Sequence, residues 1–461
     1  MTTPSAAVTD NAEQQVPASS RRQMKVLLAA ILGFAIITLD ATVVNVALPS
    51  MRNSLGGGIS DLQWVVDGYT LTFAALLLSA GSLADRIGAN RAFGAGLAIF
   101  VVASALCGLA PSVGVLILAR FVQGCGAAAM MPSSMALIRH AYTDTSQRAR
   151  AVGWWAMGGA VSTAAGPSVG GLLCLSSWRW IFVINLPIGL LAFLLLRSAD
   201  RSPHHRVGFD SLGQITATIA MAGVTYGAIE VGPKGWASPS VIIAFAVAVL
   251  AAAAFLTVQS RVRHPMVPLS LFRTPNVGSA VAIGFAFMVS FYGAPFLYSL
   301  YFQQLRGLSP LATGAAFVPM AFIGLVVTPF SARIVDRIGP SNSIRAGLFF
   351  MIAGLLALAA VPAATTPLWV VSLLLMLVGV VGPLVMPPTM ALLLDSVDAL
   401  RVGTASAVFN TGRQIGGALA VAVFGALLTT ADGFAYGMRL SLALAVIVGF
   451  GAVLASLRLR R

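Results

Sequence analysis

Fourteen long apolar runs, separated by short segments that contain charges, proline or glycine, dominate this chain of 461 residues. A helix needs about 20 apolar residues to cross the hydrocarbon core of a bilayer, and each run is of that order. No soluble domain of this size could stay in solution with 58% hydrophobic and 9% charged residues. The runs therefore predict an all-α polytopic membrane protein with 14 transmembrane helices. The predicted spans are 26–49, 60–83, 91–110, 112–138, 150–173, 178–197, 211–230, 239–258, 276–302, 310–331, 343–362, 367–394, 402–429 and 436–456.

The basic residues divide unevenly between the two sides of the predicted membrane. If the N-terminus is cytoplasmic, 21 of the 28 basic residues fall on the cytoplasmic side and 5 on the external side. The positive-inside rule therefore predicts cytoplasmic termini and a multi-pass protein of the inner (plasma) membrane. Basic loops attract anionic lipid, which accounts for the net charge of +14 without a nucleic-acid partner.

The four-residue sequence Asp-Arg-Ile-Gly occurs twice, at 85–88 and 336–339. Both copies follow spans of the same direction, eight spans apart, which fits two six-helix bundles with two helices inserted between them. One class of secondary transporter has parallel six-helix halves, although two similar cytoplasmic turns would need the same residues. The predicted domains are a disordered cytoplasmic tail at 1–25, an N-terminal six-helix bundle at 26–200, two inserted helices at 201–265, a C-terminal six-helix bundle at 266–456 and a cytoplasmic C-terminus at 457–461.

Asp40 lies inside the first predicted span, where a carboxylate costs about 2.5–3.5 kcal/mol on insertion scales. It should therefore face protein or a water-filled cavity, and a functional role is the default hypothesis. Arg120 in the fourth span lies at a similar depth, roughly 12–14 Å below the outer surface. Desolvation favours a neutral acid and a nearby guanidinium favours the carboxylate, so we expect Asp40 to carry a coupling proton and Arg120 to modulate its affinity. A structural ion pair between helices is the alternative.

Other polar residues at membrane depth are candidates for proton transfer or substrate contact. Asp67, in the outer third of the second span, is predicted either to relay protons or contact substrate, or else to be a hydrated acid near the interface. Arg413 has no acid in the predicted C-terminal spans, so we expect it to bind carbonyls, a cytoplasmic-end acid such as Asp395 or Asp398, or an anionic or polar substrate group. Aromatic residues of the ninth span either line a cavity or serve packing. The candidate cavity residues are Asn45, Gln123, Tyr292, Tyr298, Asn410, Arg413 and Gln414.

Five segments carry a family resemblance: 39–49 in the first span, 81–91 in the following loop, 120–128 in the fourth span, 153–171 in the fifth and 178–189 in the sixth. They resemble motifs of the major facilitator superfamily, and the first and last are similar to markers of its fourteen-helix drug:proton antiporter branch. Two positions differ from the family pattern. Asn90 stands where a second basic residue is common, and Ser162 stands where glycine is usual.

The resemblance implies a major facilitator fold and proton-coupled export of amphipathic drugs or antibiotics by alternating access. It also implies that the buried arginine of the fourth span takes part in proton coupling. The loop motif and its second copy are predicted to form gating charge networks at the cytoplasmic mouth, through Asp85, Arg86, Gly88, Arg91, Asp336 and Arg337. The fifth-span motif is predicted to pack helices closely, through Gly153, Gly166, Pro167, Gly170 and Gly171.

Two other functions fit the same sequence: a dedicated exporter of one metabolite or self-made antibiotic, and a membrane sensor on a transporter scaffold. The sequence contains no catalytic cluster and no Gly-x-x-x-x-Gly-Lys-Ser/Thr loop, so we predict no enzyme activity, no catalytic residues and no ATP. Its cysteine and histidine spacings match no metal site, so we predict no metal and no cofactor. The expected partners of this monomer are protons, membrane lipids and a small amphipathic substrate.

Overall fold

A computed structural model describes residues 18–198, 210–262, 265–361, 365–398, 401–429 and 433–459. The side chains of residues 18–20, Asp85 and Thr145 are also outside the described set. The described secondary structure consists of helices and contains no strand. The first group of helices is α1 (Ala18–Leu55), α2 (Ile59–Ile87), α3 (Ala89–Leu109), α4 (Val113–Ala141), α5 (Thr145–Leu173), α6 (Trp180–Val183) and α7 (Asn185–Leu196).

A helical hairpin separates this first group from a second group. The hairpin is formed by α8 (Ser211–Lys234) and α9 (Pro239–Arg261). A 3₁₀ turn over Leu269–Arg273 leads into the second group, and a π-helical turn over Tyr301–Leu305 extends its first helix. The second group is α10 (Pro275–Leu300), α11 (Pro310–Ala316), α12 (Val318–Val327), α13 (Ser331–Ile338), α14 (Pro340–Ala360), α15 (Leu368–Gly379), α16 (Val381–Asp395), α17 (Val402–Leu428) and α18 (Phe434–Ser456).

The start of α1 corrects the predicted tail. Most of the predicted tail lies outside the described residues, but α1 begins at Ala18, so residues 18–25 are helical and not disordered. Two side chains of this first part fix it to the first group: Arg22 Nε donates to Ser198 O at 2.6 Å and Gln23 Nε2 donates to Ala141 O at 3.0 Å. These contacts join distant parts of the chain, which a search for apolar runs does not detect.

Side-chain caps define where several helices begin. Asp144 Oδ1 accepts from Gln147 N at 2.8 Å at the start of α5, and Asp210 Oδ1 accepts from Gly213 N at 2.7 Å at the start of α8. Such acceptors satisfy N–H groups that have no partner within the helix. Asp210 Oδ2 also accepts from Gln259 Nε2 at 2.6 Å, so this one carboxylate joins the start of α8 to the end of α9.

Within the described residues, twelve helical segments are long and apolar enough to cross a membrane. The 29-residue α5 is not among them, because its glycine, serine, threonine and arginine residues lower its mean hydropathy. The segment Trp180–Leu196, which contains α6 and α7, is apolar but shorter. The structure therefore confirms a many-helix membrane architecture, and the count of 14 predicted spans depends on these two segments.

The helices pack as two bundles with the hairpin on one side. In the N-terminal bundle α1 packs against α4, α5 and α7, and in the C-terminal bundle α10 packs against α16, α17 and α18. The hairpin contacts both bundles through α8, which lies against α2 and α17. Gln214 Nε2 of α8 donates to Ala75 O of α2 at 2.9 Å, whereas Ile229 of α8 packs against Ala422 of α17. The groove between α2 and α17 is thus covered by α8.

Within the described residues, four hydrogen bonds join the two bundles at one end. Gln63 Nε2 donates to Val421 O at 3.1 Å and to Ala422 O at 2.6 Å. Two further bonds run from Gln303 Nε2 to Val46 O at 2.8 Å and from Ser168 Oγ to Gly314 O at 3.4 Å. We call this the closed end, and we call the opposite end, where α1 begins and α18 ends, the terminal end.

A bulky residue at Gly314 should open the closed end. A Cβ atom there would lie 2.6 Å from Pro167 O, so Gly314→Val cannot keep the contact between α5 and α11. Overpacking costs about 1–3 kcal/mol, and about 1.4 kcal/mol changes an equilibrium tenfold. We expect spin labels at Asn53 and Gln304, which line one cleft at this end, to report a larger population at long distance. The matched variant is Gly451→Val, where a Cβ atom would meet nothing within 4 Å among the described residues. An unchanged distance distribution in Gly314→Val would contradict the prediction.

Candidate functional site

Five polar side chains from four helices meet in the interior of the N-terminal bundle. Each is at most 1% exposed, which excludes bulk water from them. We call them the Asp40 cluster: Asp40 of α1, Ser104 of α3, Arg120 and Gln123 of α4, and Asn185 of α7.

An ion pair forms the centre of the Asp40 cluster. Arg120 Nη1 donates to Asp40 Oδ2, which confirms that the two residues share one depth. The guanidinium also donates through Nε to Val65 O at 2.9 Å, and its Cζ lies 4.4 Å from the centre of the Tyr69 ring. A buried ion pair needs such additional partners, because the desolvation of two charges is costly. Arg120 is thus held by α1, α2 and an aromatic face.

The second oxygen of Asp40 is also fully engaged. Asp40 Oδ1 accepts from Gln123 Nε2 at 2.9 Å and from Asn185 Nδ2 at 2.9 Å. Both amides donate to Ser104 Oγ as well, at 3.2 Å and 2.9 Å respectively. The two oxygens of Asp40 thus accept from three side-chain donors, one guanidinium and two amides.

Small residues allow α3 and α4 to bring these side chains together. A Cβ atom at Gly96 of α3 would lie 2.8 Å from Gly126 O of α4, and one at Gly126 would lie 2.7 Å from Gly96 O. Such close helix approach in membranes depends on small side chains. Arg120 and Gln123, three residues apart, share one face of α4, and Arg120 Nη1 donates to Gln123 Oε1 at 2.8 Å.

Asp67 lies apart from the Asp40 cluster. It is fully buried in α2, and neither carboxylate oxygen has a hydrogen-bond partner among the described residues. It therefore is not the hydrated acid that its nearness to the membrane surface allowed. Gln63, one helical turn earlier, bonds to α17, so Asp67 lies on the face of α2 that points toward the C-terminal bundle.

The two Asp-Arg-Ile-Gly segments adopt the same turn at the terminal end. Gly88 joins α2 to α3 with φ of 91°, and Gly339 joins α13 to α14 with φ of 82°, backbone values that favour glycine. Arg91, Asp336 and Arg337 are exposed there, as is Arg86. The Asp85 side chain lies outside the described residues, and the gating role remains a prediction.

The fifth-span motif forms close contacts, with one exception. Gly166 abuts Thr42 of α1, and a Cβ atom at Gly170 would lie 2.7 Å from Val43 O of the same helix. One at Gly171 would lie 2.7 Å from Pro310 O of the other bundle, and Pro167 meets Gly314 as described above. Gly153 differs: a Cβ atom there would meet no atom within 4 Å in the described part of the chain, so it makes no close packing contact.

Three predicted cavity residues are enclosed in protein instead. Gln123 is 0% exposed and belongs to the Asp40 cluster, which its polar spacing with Arg120 could have indicated. Tyr298 is 1% exposed and packs against Tyr301 and Phe302 in an aromatic group near the closed end. Asn45 is 1% exposed, and its Nδ2 donates to Thr42 O at 3.4 Å within α1. Residues enclosed to this extent do not line an open cavity.

The other candidates lie together on α10 and α17. Arg413 is partly buried and donates through Nη1 to Asn410 Oδ1 at 3.1 Å, while Gln414 is buried beside it. Tyr292 of α10 lies against the same helix, because a Cβ atom at Gly417 of α17 would lie 3.5 Å from Tyr292 Cγ. Its helix α10 also packs against α1, which carries Asp40.

Two members of the Asp40 cluster were not predicted as site residues. Ser104 lies in an apolar run where a single serine is unremarkable, and only the structure shows that its Oγ accepts from both amides. Asn185 was noted only as part of a motif, yet it is an amide at the start of an otherwise apolar helix. An amide at membrane depth needs a partner for the same reason as a charge, and this signal could have identified it.

Comparison with known proteins gives consistent results. A model of the family described as Major Facilitator Superfamily matches residues 30–421. The chain is 37% identical to the methylenomycin A resistance protein of Streptomyces coelicolor, over 93% of this chain and 91% of the relative. It is 37% identical to the multidrug resistance protein Stp of Mycobacterium tuberculosis, over 89% of this chain and 76% of the relative.

A solved structure supports the same fold. The crystal structure of a D-xylose-proton symporter superposes with a TM-score of 0.71, at 15% sequence identity, over 95% of this chain and 98% of that chain. At this identity the likeness concerns the fold alone.

Proposed function

We propose, from the premise that this chain belongs to the Major Facilitator Superfamily, that it exports amphipathic drugs or antibiotics by proton-coupled antiport. The chain is a membrane transporter and not an enzyme. The observation that carries the proposal is the Asp40–Arg120 pair, a titratable carboxylate in a dry helical interior with donors for its charged form. Ionisable residues at such positions are typical of proton pathways. Relatives named for antibiotic and multidrug resistance supply the substrate class.

The proton acts by changing the contacts of Arg120. When Asp40 binds a proton it loses the charge that holds the guanidinium, which keeps Val65 O and Gln123 Oε1 as acceptors. The O–H of the neutral acid then needs an acceptor, and Asn185 Oδ1, which has no hydrogen-bond partner among the described residues, can supply one. Because these side chains lie on α1, α4 and α7, proton binding alters the packing of one bundle and so its contact with the other.

The proposal includes fourteen membrane crossings with both termini in the cytoplasm. With α5 and the segment Trp180–Leu196 added to the twelve apolar helical segments, the number of membrane crossings is fourteen. The excess of basic residues on one side supports a cytoplasmic terminal end. The closed end is then external, so the bundles are in contact on the outside and alternate by opening there. The exposed residues Arg91, Asp336 and Arg337 then lie at the cytoplasmic mouth as gating charges.

The proton gradient is the energy source, so the transporter needs no cofactor and no ATP. It works as a monomer surrounded by lipid in the inner membrane. Asp67 is proposed as a second titrating group, since a buried carboxylate without hydrogen-bond partners among the described residues is stable only when neutral or when a charge approaches it.

A drug-susceptibility panel tests the function directly. Expression in a host without its own pumps should raise the inhibitory concentration of several amphipathic antibiotics, and a protonophore should abolish the effect. A second candidate, a dedicated exporter, is favoured by the relative named for one antibiotic, methylenomycin A. It predicts resistance to a single compound in the same panel. If the protein is inserted in the membrane but confers no resistance to any compound, the result would favour the alternative function, a membrane sensor on a transporter scaffold.

A further inference from the structure

We infer that the C-terminal bundle binds its substrate through an anionic group, such as a carboxylate, at Arg413. This inference rests on the proposed export function and names the chemical class of the substrate. Arg413 Nε is buried and has no hydrogen-bond partner among the described residues. Its guanidinium donates to a neutral amide oxygen, Asn410 Oδ1, and thus retains donors for a ligand.

Room for the Arg413 side chain is provided by the neighbouring helix. A Cβ atom at Gly284 of α10 would lie 2.9 Å from Arg413 Cγ, so a larger residue there would push the side chain away. The guanidinium also lies 5.8 Å from the centre of the Phe409 ring, which abuts the same glycine of α10. The stem is therefore held by α10 and by an aromatic ring, while the charged group is left with a single amide partner in the described part of the chain.

Among the described residues, the C-terminal bundle offers no counter-charge to Arg413. Its described acids are Asp336, Asp395 and Asp398, all at or beyond helix ends at the terminal end. Arg413 lies 11 residues into α17, about 16 Å from that end. No carboxylate of the described residues lies within 4 Å of its guanidinium. A charge at this depth requires a partner.

Arg120 shows how differently the same residue type is treated in the N-terminal bundle. Its guanidinium has a carboxylate, a backbone carbonyl and an amide oxygen as acceptors. Arg413 has the amide oxygen alone among the described residues. A planar guanidinium binds a carboxylate with two parallel hydrogen bonds. An anionic substrate group would therefore give Arg413 the counter-charge that Asp40 gives Arg120.

The surroundings of Arg413 fit a substrate that is otherwise amphipathic. Gln414 and Tyr292 bring neutral polar groups to this region, and the apolar Phe409 ring lies beside the guanidinium. Tyr292 lies on α10, which packs against α17 and also against α1, the helix of Asp40. Proton binding at Asp40 and substrate binding at Arg413 can thus influence each other through α10.

Asp67 is the competing partner for Arg413. It lies on α2, which packs against α17, and its oxygens have no partner among the described residues. If the two residues paired in another conformation, Arg413 would need no anionic ligand. The double variant Asp67→Asn/Arg413→Gln separates the two explanations, because removal of both charges would then restore the transport that Arg413→Gln loses.

Three probes in everted vesicles test the inference: fusidic acid as an amphipathic carboxylate, its uncharged methyl ester, and the cation ethidium. With an imposed proton gradient, the wild type should accumulate the carboxylate above the other two. Arg413→Gln should lower carboxylate accumulation about tenfold or more, and Arg413→Lys should retain part of it because it keeps the charge. Ester accumulation should change little, and Arg439→Gln, at an exposed arginine, should match the wild type for all three probes.

The outcomes distinguish this inference from the proposed function. Proton-driven accumulation of the ester or ethidium, with no preference for the carboxylate, would overturn the anionic site and leave export intact. Restored carboxylate transport in the double variant would also overturn it, in favour of an Asp67–Arg413 pair. If no probe accumulates in wild-type vesicles, both proposals fail. If Arg413→Gln does not insert into the membrane, the test uses Arg413→Lys and compares its accumulation of the carboxylate with its accumulation of the ester. A carboxylate-to-ester ratio equal to that of the wild type would overturn the inference.

Discussion

Asp40→Asn should abolish proton-driven efflux in everted vesicles and reduce substrate accumulation to the level of vesicles without the protein. Asparagine has nearly the size of aspartate and can hydrogen-bond to Gln123 and Asn185, but it cannot bind and release a proton. The change therefore removes the chemistry and largely preserves the packing. The measurement is the uptake of a transported antibiotic and the accompanying proton release under an imposed gradient.

Two further variants show whether the loss of efflux in Asp40→Asn is specific to this carboxylate. Asp144→Asn changes an exposed helix cap at which both residues are good acceptors, so it should match the wild type. Asp67→Asn should lower the proton-to-substrate ratio if two carboxylates titrate, and should leave the ratio unchanged if Asp40 titrates alone. Efflux that is still driven by protons in Asp40→Asn, with the protein inserted, would refute the role of Asp40.

Arg120→Gln should destabilise the protein strongly. It leaves Asp40 buried without its counter-charge, and the removal of one partner from a buried ion pair costs about 3–5 kcal/mol. The free energy of unfolding can be measured by denaturant titration of the purified protein in micelles. The loss should appear even in the absence of any substrate or proton gradient.

A double-mutant cycle separates the ion pair from general packing damage. Asp40→Asn/Arg120→Gln replaces both charges with amides that still hydrogen-bond, so it should recover most of the lost free energy of unfolding. A double variant as unstable as the sum of the two single variants would show that the two charges do not interact energetically. Transport should be absent in the double variant, because stability and proton exchange depend on different properties of Asp40.

The pairing of Asp40 with Arg120 could be predicted because it depends on depth alone. Both residues lie at countable distances from the ends of apolar runs, and a charge in a membrane needs a partner. The same reasoning identifies Asn185 as an amide that needs a partner, but it does not identify Asp40 as that partner, since the direction of the amide depends on the break between α6 and α7. Apolar runs locate helices, whereas helix rotation and breaks decide which side chains meet.

Helix rotation and local composition also explain where the other predictions and the structure differ. Tyr298 and Tyr292 lie on one predicted span at helical spacing, yet Tyr298 packs among aromatic rings and Tyr292 lies against Gly417 of α17. Hydropathy also understates α5, because the small residues that allow its close packing are weakly apolar. Sequence therefore predicted the class of fold better than the lining of its interior.

The position of α8 makes the protein asymmetric toward the surrounding lipid. Two lateral grooves run between the bundles, one between α2 and α17 and one between α5 and α11, and α8 occupies the first. Among the described residues, no helix from outside the bundles lies over the second. A compound dissolved among the acyl chains thus meets a barrier on one side of the transporter and a helix seam on the other. A substrate that enters sideways from the bilayer would therefore enter on the side of α5 and α11.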